Sequence, residues 1–164
     1  MNSDDEIFKL AVHVSQHLGQ SGRTLVTAES CTGGWLGKAL TDIPGSSRWY
    51  LGGVVAYSNQ LKQQLLDVAE DSLTTHGAVS DAVVSEMATG ALRNFSGDIA
   101  VAISGIAGPD GEQPGKPVGT VWIAWAWRHG QSMRVNARLK LFTGDREEVR
   151  RRSVMAALSG LMEV

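Results

Sequence analysis

The 164-residue chain contains one cysteine, so no internal disulfide can brace it and no paired Cys/His spacing builds a zinc site. Neither sign of charge dominates: 15 Lys and Arg stand against 17 Asp and Glu, a formal net charge of −2, which supplies no global field for nucleic acid. No apolar run approaches membrane-spanning length, and the opening MNSDDEIFKL is acidic where a signal peptide would be basic and then apolar. These absences predict a cytoplasmic protein without membrane contact. Familiar loops are missing too. TGGWLGKA carries Gly37 and Lys38, but Thr32 and Ala39 stand where a phosphate-binding P-loop needs Gly and Ser or Thr. Ala28 and Thr32 flank Ser30 where a nucleophile elbow needs glycines, and no GxGxxG occurs. His13 and His17 share a helical face, yet neither an HExxH pattern nor a third ligand accompanies them, so no metal is expected.

What is present is ordinary globular composition, 43% hydrophobic and 20% charged, enough for one core and one domain, 1–164. Ser3 and Glu6 form a capping-box pattern ahead of Ile7, Leu10, Ala11, Val14 and Leu18 at helical spacing, with Gly19 and Gly22 ending the helix. RTLVTAE reads as a buried strand. Gly33 and Gly34 turn the chain into a helix with Trp35, Leu36, Ala39 and Leu40, which PGSS stops. WYLGGVVAY is a second strand, and Asn59 is placed to cap the helix QLKQQLL. Ser80 and Asp81 open a helix along Val83, Val84, Met87, Ala88, Ala91 and Leu92. DIAVAIS is a third strand, followed by a glycine- and proline-rich loop from Gly105 to Pro117. GTVWIAWAW and RVNARLKLF form a hairpin near His129 and Gly130, the latter strand setting Val135, Ala137, Leu139 and Leu141 on one face. A last helix begins near Asp145 and carries Val149, Val154, Ala157, Leu158 and Leu161. Alternating helices and apolar strands predict an α/β fold, a three-layer α/β/α sandwich around a mixed sheet of about five strands.

The stretch TAESCTGGW leaves a strand through a tight turn with Ser30 at its apex. N–H groups from Cys31 to Gly34, together with the helix dipole, can hold a phosphate or a developing oxyanion. The plainer reading makes Ser30 a helix cap and the glycines a turn. Cys31 competes as nucleophile, since a helix N-terminus can activate a thiol, but no histidine motif supplies its base. A serine nucleophile needs a base as well. YSNQLK offers Tyr57 at a strand end and Lys62 in the next helix. With an unperturbed pKa of about 10.4, only on the order of one lysine in two thousand is neutral at pH 7, so the role requires burial. In SGIAGPDG, Ser104 and the N–H of Gly105 leave an apolar strand where open α/β sheets bind ligands, and Asp110 can meet a ribose hydroxyl or merely fix the turn. Arg146, opening the last helix with Arg150 on the same face, suits a phosphate or a solvated basic face paired with Glu147 and Glu148.

Taken together, TAESCTGG, YSNQLK, GAVS, SGIAGPDG, KPVGTVW and GDREEVR resemble, in order and spacing, the CinA C-terminal domain family, over nearly the whole chain. Stand-alone members of that family include nicotinamide-mononucleotide deamidases; fused members carry an N-terminal molybdopterin-binding-like domain, which this chain is expected to lack. The resemblance implies hydrolysis of nicotinamide mononucleotide to nicotinate mononucleotide and ammonia, in pyridine-nucleotide recycling. It also implies a homodimer and neither metal nor organic cofactor. Ser30 matches the position of the nucleophile, with Tyr57 and Lys62 as activating partners. The N–H groups at Cys31, Thr32 and Gly33 would hold the oxyanion, and Ser104, Gly105, Asp110 and Arg146 would bind the nucleotide. Two other classes fit the same motifs: a pyridine-nucleotide-binding module without catalysis, and a competence- or DNA-damage-related interaction protein.

Overall fold

A computed structural model describes the backbone of residues 3–164 and the side chains of residues 5–164. Six helices, α1 (Ser3–Ser21), α2 (Trp35–Thr41), α3 (Asn59–Leu66), α4 (Glu70–His76), α5 (Asp81–Asn94) and α6 (Arg146–Gly160), surround five strands: β1 (Leu25–Glu29), β2 (Tyr50–Val55), β3 (Ile99–Gly105), β4 (Thr120–His129) and β5 (Ser132–Leu141). The sheet order is β2-β1-β3-β4-β5, with β1 parallel to β2 and β3, and β4 antiparallel to β3 and β5. The mixed five-stranded α/β sandwich expected from the sequence is therefore present. Among the described residues no helix is long and apolar enough to cross a membrane.

Side chains alternate across each strand, so the sheet divides the core in two. On one face Leu25, Ile99, Val101, Ile103, Ile123 and Trp125 pack under α1, α2 and α6. On the other, Val26, Ala28, Ala100, Ala102, Ala124 and Ala126 pack under α3 and α5. The two faces differ in volume: large residues fill the first, while a floor of alanines lets α5 settle close to the second. Gly90 continues that economy, since a Cβ there would overlap the Leu66 carbonyl of α3. With both faces covered, β3 reads as a continuous apolar run and β1 is buried throughout, Thr27 and Glu29 included, and each fully buried Leu, Ile or Val contributes roughly 1.5–3 kcal/mol.

Local signals held where side chains cap helices. Ser80 accepts from Val83 N–H and Asp145 from Glu148 N–H, at the starts of α5 and α6. The cap of α3 is Ser58, accepting from Leu61 N–H, and not Asn59, which becomes the first helical residue. Gly19 lies inside α1, which ends before Gly22 at φ 65°. α4 has no counterpart in the periodicity because EDSLTTH buries only Leu73. The capping box at Ser3 involves a side chain outside those described.

The topology gathers three loops at one end of the sheet. Glu29 pairs with Val55 and Ile103, so the residues after β1, β2 and β3 emerge side by side. The bond from Ser30 N–H to the Ile103 carbonyl (3.0 Å) and that from Ala56 N–H to the Glu29 carbonyl (2.9 Å) extend the sheet into this corner.

Candidate active site

Ser30 and Lys62, 32 residues apart, meet in the corner beyond β1 and β2. Lys62 sits in the first turn of α3, and its side chain folds back towards the helix start, as helical side chains lean. Its Nζ lies 3.1 Å from Ser30 Oγ, 3.0 Å from the Ala56 carbonyl and 3.0 Å from the Tyr57 carbonyl. Lys62 is 1% exposed, and among the described residues no carboxylate pairs with it. Burial pushes its pKa down from the ordinary lysine value, a lesser interaction with Cys31 opposing this. A neutral amine has two N–H donors and one lone pair. In that state, with both donors given to the two carbonyls, the lone pair would face Ser30 Oγ; an ammonium instead donates its third N–H to Ser30 Oγ.

The turn after Ser30 is shaped by its neighbours. Gly33 N–H donates to the Ser30 carbonyl (3.0 Å) and Trp35 N–H to the Thr32 carbonyl (3.1 Å). Gly33 and Gly34 adopt φ of 61° and 96°, a conformation that side chains resist, and Gly34 is the residue that caps α2. Ser30 is thus no helix cap. Gly33 N–H, expected to face a ligand, closes the turn instead. No backbone carbonyl among the described residues accepts from the N–H groups of Cys31 and Thr32.

The helix N-terminus expected to receive an anion already holds one of the chain's own. Glu29, 2% exposed, accepts from Leu36 N–H (2.9 Å) and Thr32 Oγ1 (2.7 Å) on one oxygen and from Gly37 N–H (3.0 Å) on the other. Cys31 is buried too, and desolvation pushes its thiol pKa up to about 12, which keeps it protonated and unreactive near neutrality.

Tyr57 contributes to the Lys62 site through its carbonyl. Its side chain is 59% exposed, and its hydroxyl accepts from Arg146 Nη2 (3.1 Å), so it makes no hydrogen bond to Lys62 or Ser30. Arg146 also donates to the Gly108 carbonyl (2.7 Å), tying the start of α6 to the loop after β3. Ser104 is buried at the end of β3, its hydroxyl donating to the Ala78 carbonyl (2.7 Å). Gly105 has no room for a side chain, since a Cβ would stand 2.7 Å from Val121. Asp110 is exposed further out on the same loop.

The basic run of α6 divides by helical face. Arg151 and Arg152 pair with Glu147 and Glu148, and Arg151, largely buried, also lies 5.7 Å over the Trp35 ring. Arg150 turns to the site: Nε donates to the Cys31 carbonyl (3.1 Å), Nη2 to the Thr32 carbonyl (3.1 Å), and the guanidinium lies 5.5 Å over the Trp35 ring. No role at the Ser30 turn was assigned to Arg150 from sequence; its spacing of four from Arg146 is the available signal. A cleft of about 700 Å³ opens between α1, α2 and α6, with Gly33, Trp35, Arg146 and Arg150 in its wall. Ser30 and Lys62 do not line it; Gly33 and Arg146 connect the two regions.

The chain as a whole is similar to known proteins. The chain is 50% identical over 161 residues to the nicotinamide-nucleotide amidohydrolase PncC of Escherichia coli K12, covering 98% of this chain and 96% of that one. It is 48% identical over 160 residues to the protein of the same name from Pseudomonas putida, covering 98% of each. Among solved structures, the competence damage-inducible protein A from Klebsiella pneumoniae superposes with a TM-score of 0.91 at 41% identity, covering 96% of this chain and 95% of that one. Residues 7–164 match the CinA C-terminal domain, and the chain belongs to that family.

Proposed function

We infer that this chain is a nicotinamide-nucleotide amidohydrolase that converts the carboxamide of nicotinamide mononucleotide to the carboxylate, releasing ammonia. The full-length likeness to proteins of that name supports the reaction. The observation that carries the mechanism is the buried Lys62, which among the described residues has no carboxylate partner and has Ser30 Oγ as its third neighbour.

In this reading Ser30 Oγ forms a bond to the carboxamide carbon while neutral Lys62 takes the hydroxyl proton. The N–H groups of Cys31 and Thr32 receive the oxyanion, with Gly33 providing the turn and not a donor. The tetrahedral species collapses, the C–N bond breaks, and the proton on Lys62 passes to the departing ammonia. Water then attacks the resulting ester, Lys62 removes its proton, and the proton returns to Ser30 Oγ as the carboxylic acid product leaves and ionises. Tyr57 acts by holding Lys62 through its carbonyl and by presenting its hydroxyl, with Arg146, to the nucleotide. Asp110 and Arg146 bind ribose and phosphate, while Ser104, bonded to the Ala78 carbonyl, and Gly105, packed on Val121, shape the loop between them; anchoring these remote groups holds the carboxamide in attacking geometry. A phosphorylated substrate does not cross a bilayer unaided, which favours the cytoplasm. Val135, Leu139 and Leu141, exposed on the edge strand β5, favour a homodimer, and a monomer mass in sedimentation would remove that assignment.

Ammonia release from nicotinamide mononucleotide by wild type, Ser30→Ala, Lys62→Met and Cys31→Ala tests the scheme. Ser30→Ala and Lys62→Met should lose at least about 10³-fold in kcat, and Cys31→Ala should keep turnover. A dead Cys31→Ala beside an active Ser30→Ala would overturn it.

A further inference from the structure

The two N–H groups facing the proposed oxyanion site are oriented by different means. A peptide unit is planar and trans, so its N–H points opposite to its own carbonyl. Cys31 N–H shares a peptide with the Ser30 carbonyl, which the Gly33 N–H bond holds in place. Thr32 N–H shares a peptide with the Cys31 carbonyl, and the protein group bonded to that carbonyl is Arg150 Nε, at 3.1 Å. Arg150 comes from α6, 119 residues along the chain, and grips the next carbonyl, Thr32, through Nη2. Its guanidinium plane is steadied by the Trp35 ring. Glu29 holds the Thr32 side chain and the start of α2, but accepts nothing from the Cys31–Thr32 peptide.

We propose that Arg150 is a positioning residue for the hydrolytic reaction: by fixing the Cys31 carbonyl outward, it aims the Thr32 N–H at the oxyanion. The inference rests on Ser30 being the nucleophile. It assigns Arg150 no contact with substrate, although its side chain also borders the cleft. Two parallel N–H donors in a rigid plane suit adjacent carbonyls; a lysine ammonium can serve one of them but cannot fix both. Loss of Arg150 leaves the Cys31–Thr32 plane free to swing, and misplacement of about an ångström at such a donor is worth up to roughly 10² in rate.

The test compares wild type, Arg150→Ala, Arg150→Lys and Ser30→Ala on nicotinamide mononucleotide, with circular dichroism melts for each. Arg150→Ala should lose roughly 10–100-fold in kcat with KM within about threefold. Guanidinium ion at tens of millimolar should restore part of that kcat. Arg150→Lys should fall between wild type and alanine with its melt intact, and it decides the matter if the alanine variant does not fold. Wild-type kcat in Arg150→Lys and in any folded Arg150→Ala would overturn the assignment. So would a KM raised tenfold or more with kcat kept, which would make Arg150 a substrate ligand. Turnover retained by Ser30→Ala would instead overturn the nucleophile on which the inference rests.

Discussion

Replacing Glu29 by Gln should expose how much the turn after Ser30 depends on a buried carboxylate. The carboxylate receives three hydrogen bonds, from Thr32 Oγ1, Leu36 N–H and Gly37 N–H, and is 2% exposed. A glutamine can keep its oxygen on Thr32 and Leu36, but its amide then points N–H groups at the N–H of Gly37. One buried donor loses its acceptor, at about 1–3 kcal/mol, and the two surviving bonds drop from charge-assisted to neutral strength, about 1 kcal/mol each. The favourable interaction of a carboxylate with the α2 N-terminus, about 0.3–1 kcal/mol, is lost as well. The sum is about 3–6 kcal/mol, a large fraction of the 5–15 kcal/mol typical of a domain. Urea unfolding followed by circular dichroism measures it directly, and the melting midpoint should fall by roughly 10 °C for a chain of this length. A loss below about 1 kcal/mol with the turn intact would refute the reasoning, because it would mean that Glu29 is not the acceptor holding α2 in place.

Lys62 titrates below its ordinary range through burial, so kcat/KM should rise with pH through that depressed pKa and level off above it, a limb that Lys62→Met removes. The same shift has a stability counterpart: between the depressed folded pKa and the unfolded value of about 10.4, the unfolded chain binds more protons, so Lys62 makes stability rise with pH there. Urea titrations across that window should show a shallower rise for Lys62→Met. Gly90→Ala should destabilise the fold by about 1–3 kcal/mol in the same assay, because overlap with the Leu66 carbonyl outweighs the better helix propensity of alanine.

Much of this architecture is legible residue by residue. Ser80 and Asp145 announce their helices because capping is a contact between neighbours in sequence, and the apolar run of β3 follows from burial on both faces. Ser58 displaced Asn59 as a cap because either side chain can serve, and the choice is made by where the chain leaves β2. The site was half legible. Ser30, Tyr57 and Lys62 stand out by type and spacing, and family resemblance joins them, but the sequence does not say which atoms of Tyr57 meet Lys62. The fold brings the carbonyl to the amine and sends the hydroxyl to Arg146.

By itself, then, the sequence determined the helices other than α4, the apolar strands, the glycine turn and the reactive groups available, because each depends on local backbone preference or side-chain chemistry. The parallel register of β1 with β2 and β3, and the seating of α6 across the turn, decided the rest. That register sets the Ala56 and Tyr57 carbonyls and Ser30 Oγ around the buried Lys62 amine. α6 brings Arg150 to carbonyls 118 and 119 positions away, and Glu29 fills a helix N-terminus that looked open. Hydrogen bonds between residues so distant carry no local signature; they exist only once the sheet is assembled.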